Sequence, residues 1–160
     1  MSKMKIAIIG LGLIGGSMAK SIKGSTEHTV YGYDLNDSVV KKALLMAAID
    51  APLTDEILAE CDLTIVALYP QASIDFVTKN QDLFKKGSIV LDCCGVKRPV
   101  CEVIEPVSLE KGFVFIGGHP MTGSERVGFS NSKAVLLENA YYILTPTEEV
   151  PEETPEETEE

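Results

Sequence analysis

Hydrophobic and polar positions along the chain alternate between two periods. The apolar run from Ile6 to Ile9 opens directly into Gly10, Gly12 and Gly15, and a continuous apolar stretch of that length reads as a strand buried on both faces. Helical spacing follows over Ile14 to Lys23. His28 to Tyr33 (HTVYGY) then reads as a second strand ending at Asp34, and Ser38 to Ala48 as a second helix. A short segment at Ala48 to Ala51 and a helix near Thr54 to Glu60 come next. Asp62 to Leu68 (DLTIVAL) is another continuous apolar run. The pattern continues with a helix over Gln71 to Asn80, a strand over Ser88 to Asp92, and a helix over Arg98 to Ile104 with Pro99 early. Strands at Phe113 to Gly117 and Tyr141 to Thr145 close it. Strands alternating with helices predict an α/β fold, a doubly wound and mostly parallel sheet with helices on both faces. Ligands in such sheets bind beyond the carboxyl ends of the strands.

The first of those strand ends carries the strongest chemical signal. Gly10, Gly12 and Gly15 stand at G-x-G-x-x-G spacing, in which the first glycine permits a tight turn, the second lets backbone approach a pyrophosphate and the third lets helix and strand pack closely. Gly12, Leu13 and Ile14 would then present helix N-terminal amides and the helix dipole to the phosphates. Asp34 ends the second strand about two dozen residues after Gly10, where a carboxylate accepts hydrogen bonds from a ribose. It favours the free hydroxyls of NAD and repels the extra phosphate of NADP, and Leu35, Asn36 and Asp37 beside it include no Arg or Lys. The pattern predicts a Rossmann-type NAD site. The plainer reading is an ordinary strand, turn and helix with an aspartate cap.

Composition narrows the setting. The 160 residues suit one domain, and 45% hydrophobic content can bury a sizeable core. No hydrophobic stretch has membrane-spanning length and no signal peptide is evident, so a cytoplasmic protein without membrane contact is expected. Cys61, Cys93, Cys94 and Cys101 are expected as reduced thiols, and their spacing matches no common zinc motif. The net charge of −10 is concentrated at one end: residues 148–160 hold 8 of the 24 acids and none of the 14 bases, leaving 16 acids against 14 bases in residues 1–147. The expected organisation is therefore a dinucleotide-binding domain over 1–147 and a solvated, disordered acidic tail over 148–160. Alternatively, Pro151 could open a Glu-rich helix. The bases are scattered, which argues against nucleic acid as a partner.

Three loops lie where chemistry is expected. Leu68, Tyr69 and Pro70 would face the cofactor from the strand across the topological switch point, or simply start a helix with Pro70 at its first position. Asp92 to Lys97 (DCCGVK) would bring a carboxylate, Gly95 and Lys97 to the nicotinamide side, although Lys97 also reads as a solvated helix-start residue. Gly117 to Arg126 (GGHPMTGSER) is the best catalytic candidate. His119, just past a strand end, has the basicity near neutral pH to take a proton from a substrate hydroxyl as hydride leaves the same carbon. His28, at the opposite end of its strand, reads as a surface residue.

GLGLIGGSMAKSIK, the Asp34 strand end, DCCGVK, HPMTGSERVGF and ENAYYILTP together resemble the prephenate dehydrogenase family, over about Lys5 to Pro146. The glycine motif is widespread, whereas the His-Pro-Met-x-Gly-Ser-Glu loop is specific. Arogenate dehydrogenases share these motifs. The resemblance implies NAD-dependent oxidative decarboxylation of prephenate to 4-hydroxyphenylpyruvate in tyrosine biosynthesis, with His119 on the ring hydroxyl and Ser124 and Glu125 shaping the polar side of the pocket. The orienting work is the protein's and the hydride chemistry the cofactor's. Gly95 stands where the family pattern has a serine near the histidine, so water, a cysteine thiol or backbone is expected to replace that contact, unless it is dispensable. The family also continues into an all-helical domain that makes a homodimer and supplies an arginine for a substrate carboxylate. This chain, with Arg98 and Arg126 as its arginines, is therefore expected to be the nucleotide-binding half, truncated or naturally short, and slow or inactive alone, because an unpaired buried carboxylate is costly. Other classes carried by the same residues are a non-catalytic NAD-binding module and a dehydrogenase of 3-hydroxy acids or imines, whose loops are unlike HPMTGSE.

Overall fold

The computed structural model describes residues 2–147; the expected acidic tail at 148–160 lies outside the described residues. Strands β1 (Lys5–Ile9), β2 (Thr29–Tyr33), β3 (Ala51–Pro52), β4 (Leu63–Val66), β5 (Ile89–Asp92), β6 (Val114–Pro120) and β7 (Tyr142–Pro146) form one sheet in the order β3-β2-β1-β4-β5-β6-β7. All neighbours are parallel except β6 and β7. Helices α1 (Leu13–Ser25), α2 (Asp37–Leu45), α3 (Asp55–Leu58), α4 (Pro70–Lys79) and α5 (Arg98–Lys111) connect them. The order reverses between β1 and β4, so the crevice expected of a doubly wound sheet opens there.

Alternating residues of β1 enter different cores, as a two-sided sheet requires. Ile6 and Ile8 join Met18, Ala19 and Ala43 under α1 and α2, while Ala7 and Ile9 join Leu58, Val77, Val100 and Ile104 under α3, α4 and α5. Register aligns the chemistry. Tyr33, Ile9, Val66 and Asp92 form one row across four strands, so Asp34, Gly10, Ala67 and Cys93 all leave the sheet at the same level.

The structure moves some boundaries. Helix α5 runs to Lys111 rather than Ile104, through Pro106, because Val100, Ile104 and Ser108 keep one buried face at helical spacing. Gly112, at φ 82°, ends it. Strand β6 continues three residues beyond Gly117, because antiparallel β7 pairs with it as far as Pro120 opposite Tyr142. The connection between them holds two 3-10 turns, Phe129–Asn131 and Ala134–Leu137. The link between the two turns is clamped on α1: Lys133 N donates to Ser17 Oγ at 3.0 Å, and Lys20 Nζ donates to the Ser132 carbonyl at 2.8 Å. His28 is a further correction. It is buried rather than on the surface, and its Nδ1 accepts the Met4 amide at 3.0 Å, tying the start of β1 to β2.

Gly15 sits so close to the turn before it that a β-carbon there would lie 1.8 Å from the Gly10 carbonyl oxygen, whereas one on Gly24 of the same helix would meet nothing within 4 Å. Gly15→Ala is expected to lower the unfolding free energy by about 3 kcal/mol through forced backbone displacement. Gly24→Ala should raise it by about 0.5 kcal/mol through helix propensity. Urea denaturation of both variants measures this, and equal midpoints would show that the close approach is unimportant.

Candidate functional site

The crevice between β1 and β4 is built from the glycine turn. Gly10, at φ 89°, has its missing β-carbon directed at the Ala67 carbonyl oxygen, 2.4 Å away, and at Leu68. No other residue lets β1 and the β4 end approach so closely. Gly12 differs, since a β-carbon on it would meet nothing within 4 Å. It caps α1 without a side-chain partner, and the first turn of that helix contains no acid. Leu13, Ile14 and Gly15 therefore lead a helix whose amide end faces open space, an arrangement that suits a pyrophosphate.

Asp34 is fixed against this turn. Its Oδ2 accepts the Leu11 amide and its Oδ1 the Asn36 amide, both at 2.9 Å, which leaves a lone pair on each oxygen for ribose hydroxyls. Beyond it lies a cavity of about 510 Å³, walled by Tyr33, Leu53, Leu58, Leu68 and Phe76, with Asp34, Asp55, Asp75 and Lys79 also on its lining. The Tyr33 and Phe76 rings tilt together with centroids 6.0 Å apart. An apolar slot with polar groups on its lining matches an adenosine in size and character. Leu68 is among its lining residues. Tyr69 is exposed, and Pro70 occupies the first turn of α4, as the plainer reading of that loop has it.

The other end of the crevice is organised by Asp92, which does not face the cofactor side but turns inward, 1% exposed. Its Oδ1 accepts the Gly118 amide at 2.8 Å and its Oδ2 the Cys94 amide at 3.1 Å, while Lys97 Nζ forms an ion pair with Oδ2. Lys97 also donates to the Gly118 carbonyl at 2.6 Å. It is therefore not a fully solvated residue but the counter-ion of a buried carboxylate. Tyr142 donates to the Asp92 carbonyl at 2.9 Å and touches Cys93 Sγ at 3.3 Å. A β-carbon on Gly118 would lie 2.5 Å from both the Asp92 carbonyl oxygen and the Tyr142 ring, so β5, β6 and β7 meet here with no spare room. Spacing offers little signal for this hub beyond an acid ending an apolar strand and a lysine five residues on.

His119 is held one residue beyond that hub, inside β6 and not past its end, paired with Ile143 of β7. It is half-buried, and among the described residues neither ring nitrogen has a hydrogen-bond partner. Gly95 faces it, because a β-carbon there would sit 3.5 Å from His119 Nε2, an ordinary contact distance. Neither neighbouring thiol substitutes for the serine contact: Cys93 Sγ is turned to Tyr142 and Met18, and Cys94 Sγ to Ser73 and the Leu68 carbonyl. Ser124 and Glu125 are exposed, and no hydrogen bond joins them to His119. Ser124 Oγ accepts the Arg126 amide at 3.1 Å and lines a separate cavity of about 330 Å³ with Arg126, Asn131 and Lys133. Among the described residues no cluster of acids, histidines and cysteines is arranged to hold a metal ion, and no helix is long and apolar enough to cross a membrane.

Burial pushes the Cys93 thiol up to about 12, against an opposing contribution from Tyr142, and drives the Tyr142 phenol well above its usual range. Stability from this buried thiol is present below the ordinary thiol value of 9.0 and is lost as pH rises through about 12, because the unfolded chain ionises first. Iodoacetamide at neutral pH is expected to label Cys93 about 100-fold more slowly than a free cysteine. Mass-spectrometric peptide mapping follows the reaction, and labelling of native Cys93 at the free-thiol rate would contradict the packing described.

The family model described as "Prephenate dehydrogenase, nucleotide-binding domain" matches residues 18–158, so the glycine turn before residue 18 is a separate observation. A prephenate dehydrogenase from Bacillus subtilis (strain 168) is 34% identical over 155 residues, covering 91% of this chain and 41% of the relative. The crystal structure of prephenate dehydrogenase from A. aeolicus in complex with hydroxyphenyl propionate and NAD+ superposes with a TM-score of 0.81 at 28% identity, covering 92% of this chain and 52% of that one. Synechocystis arogenate dehydrogenase also gives 0.81, at 31% identity and with 91% and 51% covered. The chain thus spans 41% of the curated relative's length and about half of each solved chain. With the reversed strand order, the glycine turn and the matched sequence in agreement, this chain belongs to the prephenate dehydrogenase nucleotide-binding domain family.

Proposed function

We propose that this chain is the NAD-binding, proton-accepting half of a dehydrogenase that oxidatively decarboxylates prephenate, with arogenate as the alternative substrate, in tyrosine biosynthesis. The observation that carries the reading is His119, its imidazole without a protein partner among the described residues, at the same sheet edge as the glycine turn and Asp34. The amides of Gly12, Leu13 and Ile14 hold the pyrophosphate, Asp34 holds the adenosine ribose, and Leu68 with its neighbours covers the adenine. NAD, when bound, supplies the hydride acceptor.

The protein's own share is proton handling and orientation. A neutral imidazole nitrogen of His119 accepts the proton of the ring hydroxyl while the carbon bearing it is oxidised, and carbon dioxide leaves as the ring aromatises. Asp92 and Lys97 fix Gly118, so the imidazole cannot drift from the substrate hydroxyl. Gly95 leaves one side of that imidazole without a side-chain donor, and Ser124 and Glu125 act on the substrate from the exposed loop. Arg98 and Arg126 are both exposed, so no enclosed guanidinium awaits a substrate carboxylate, and the 160-residue chain by itself turns over slowly. The same reading places the enzyme in the cytoplasm, where the free thiols Cys61, Cys93, Cys94 and Cys101 stay reduced, and as a homodimer built through the helical portion of the family.

Two measurements test this. NADH fluorescence titration of the chain should saturate, and it should saturate equally well in His119→Asn. Steady-state turnover of prephenate with NAD should fall by about 100-fold or more in that variant. Uptake without any turnover in the unaltered chain, even with the helical portion of a relative supplied, would leave a binding module in place of an enzyme; no uptake at all would end the nucleotide reading. Gly95→Ser, whose hydroxyl comes within reach of His119 Nε2, should displace the imidazole 15N resonances, and unchanged resonances would mean the two residues do not face each other.

A further inference from the structure

Resting on the NAD reading above, we infer that Asp55 and Asp75 act together with Asp34 to keep a 2′-phosphate out of the adenosine cavity, so that selection of NAD over NADP is shared by three carboxylates. All three line the cavity of about 510 Å³, yet they come from different elements. Asp34 follows β2, Asp55 is the first residue of α3, and Asp75 lies in the second half of α4. Sequence spacing gives no hint that they converge, because 41 residues separate the first from the last. Asp34 is held by the Leu11 and Asn36 amides, and Asp75 accepts a hydrogen bond from Gln71 Nε2 at 2.9 Å.

One lining residue carries the opposite charge, and its position decides the balance. Lys79 ends α4, the helix that starts at Pro70 beside the cofactor edge and runs back along the sheet. At the rise of an α-helix it stands about 6 Å farther from that edge than Asp75 and about 13 Å from Pro70. A phosphate on the ribose held by Asp34 would share the cavity with three carboxylates and one ammonium, a net balance of repulsion. A 2′-phosphate carries a charge near −2, and a single carboxylate several ångströms away in a partly solvated site costs it about tenfold in affinity. NAD has uncharged hydroxyls at that place and is therefore repelled far less than NADP by Asp55 and Asp75. Removing Asp34 alone therefore does not open the site to NADP.

The test compares NADH and NADPH binding by fluorescence titration in the 160-residue chain and in Asp34→Asn, Asp55→Asn, Asp75→Asn and the triple variant, at low and high salt. Asp55 and Asp75 are exposed and asparagine keeps their shape, so the variants fold; circular dichroism checks this. The expected result is that Asp34→Asn weakens NADH binding while NADPH remains excluded, that Asp55→Asn and Asp75→Asn shift the NADPH-to-NADH affinity ratio about tenfold each, and that NADPH affinity climbs about tenfold for each further carboxylate removed. The discrimination shrinks at high salt, as screening requires. The inference is overturned if Asp34→Asn takes NADPH as tightly as the triple variant, or if neither Asp55→Asn nor Asp75→Asn changes NADPH affinity. Absent NADH uptake by the unaltered chain would overturn the functional reading and this inference together, whereas normal NADH uptake with inert Asp55 and Asp75 overturns this inference alone.

Discussion

A carboxylate buried at the end of the central strand region governs the reactive end of this domain. Removing an ion from water costs several kcal/mol, and that cost is offset only when a counter-charge and well-aimed donors replace the lost water. Asp92 has both: Lys97 supplies the charge, and the amides of Cys94 and Gly118 supply the hydrogen bonds. These donors come from the loop after β5, the start of α5 and the body of β6. The carboxylate can therefore be satisfied only when all three segments are in place. His119 and Gly95 each lie next to one of those donors in sequence, so the geometry of the candidate catalytic group follows from the need to neutralise Asp92.

The opposite end of the crevice obeys a steric constraint rather than an electrostatic one. Gly10 and Gly15 approach each other and Ala67 more closely than any side chain allows, which draws the amide end of α1 against the sheet's carboxyl edge. Gly12 remains open where the other two are crowded. This contrast divides the motif into glycines needed for the fold and a glycine available to a ligand. Asp34, by accepting the Leu11 amide, joins the glycine turn to β2. The two ends share one register row, Tyr33 to Asp92, so both lie at the same level of the sheet's carboxyl edge.

Between these rigid ends the β6 to β7 connection is only partly tied down. Lys20 and Ser17 clamp its middle to α1, but Ser124, Glu125 and Arg126 stand in solvent.

The sequence by itself determined the alternation of strands and helices, the doubly wound class, the glycine turn, the Asp34 strand end and the family. The elements and the glycine turn depend on short-range spacing, where hydrophobic period and backbone sterics act locally, and the family on several such short motifs in order along the chain. It also marked His119 and Gly95, though as separate loops. Only the tertiary structure decided that Asp92 and Lys97 form a buried ion pair, that β7 extends β6 through His119, that His28 is an internal acceptor for Met4, and that Asp34, Asp55 and Asp75 share a cavity. The reason is common to all four. Where a charged or polar side chain points depends on which distant segment offers it a partner, and that is fixed by strand order and register, which no local pattern encodes.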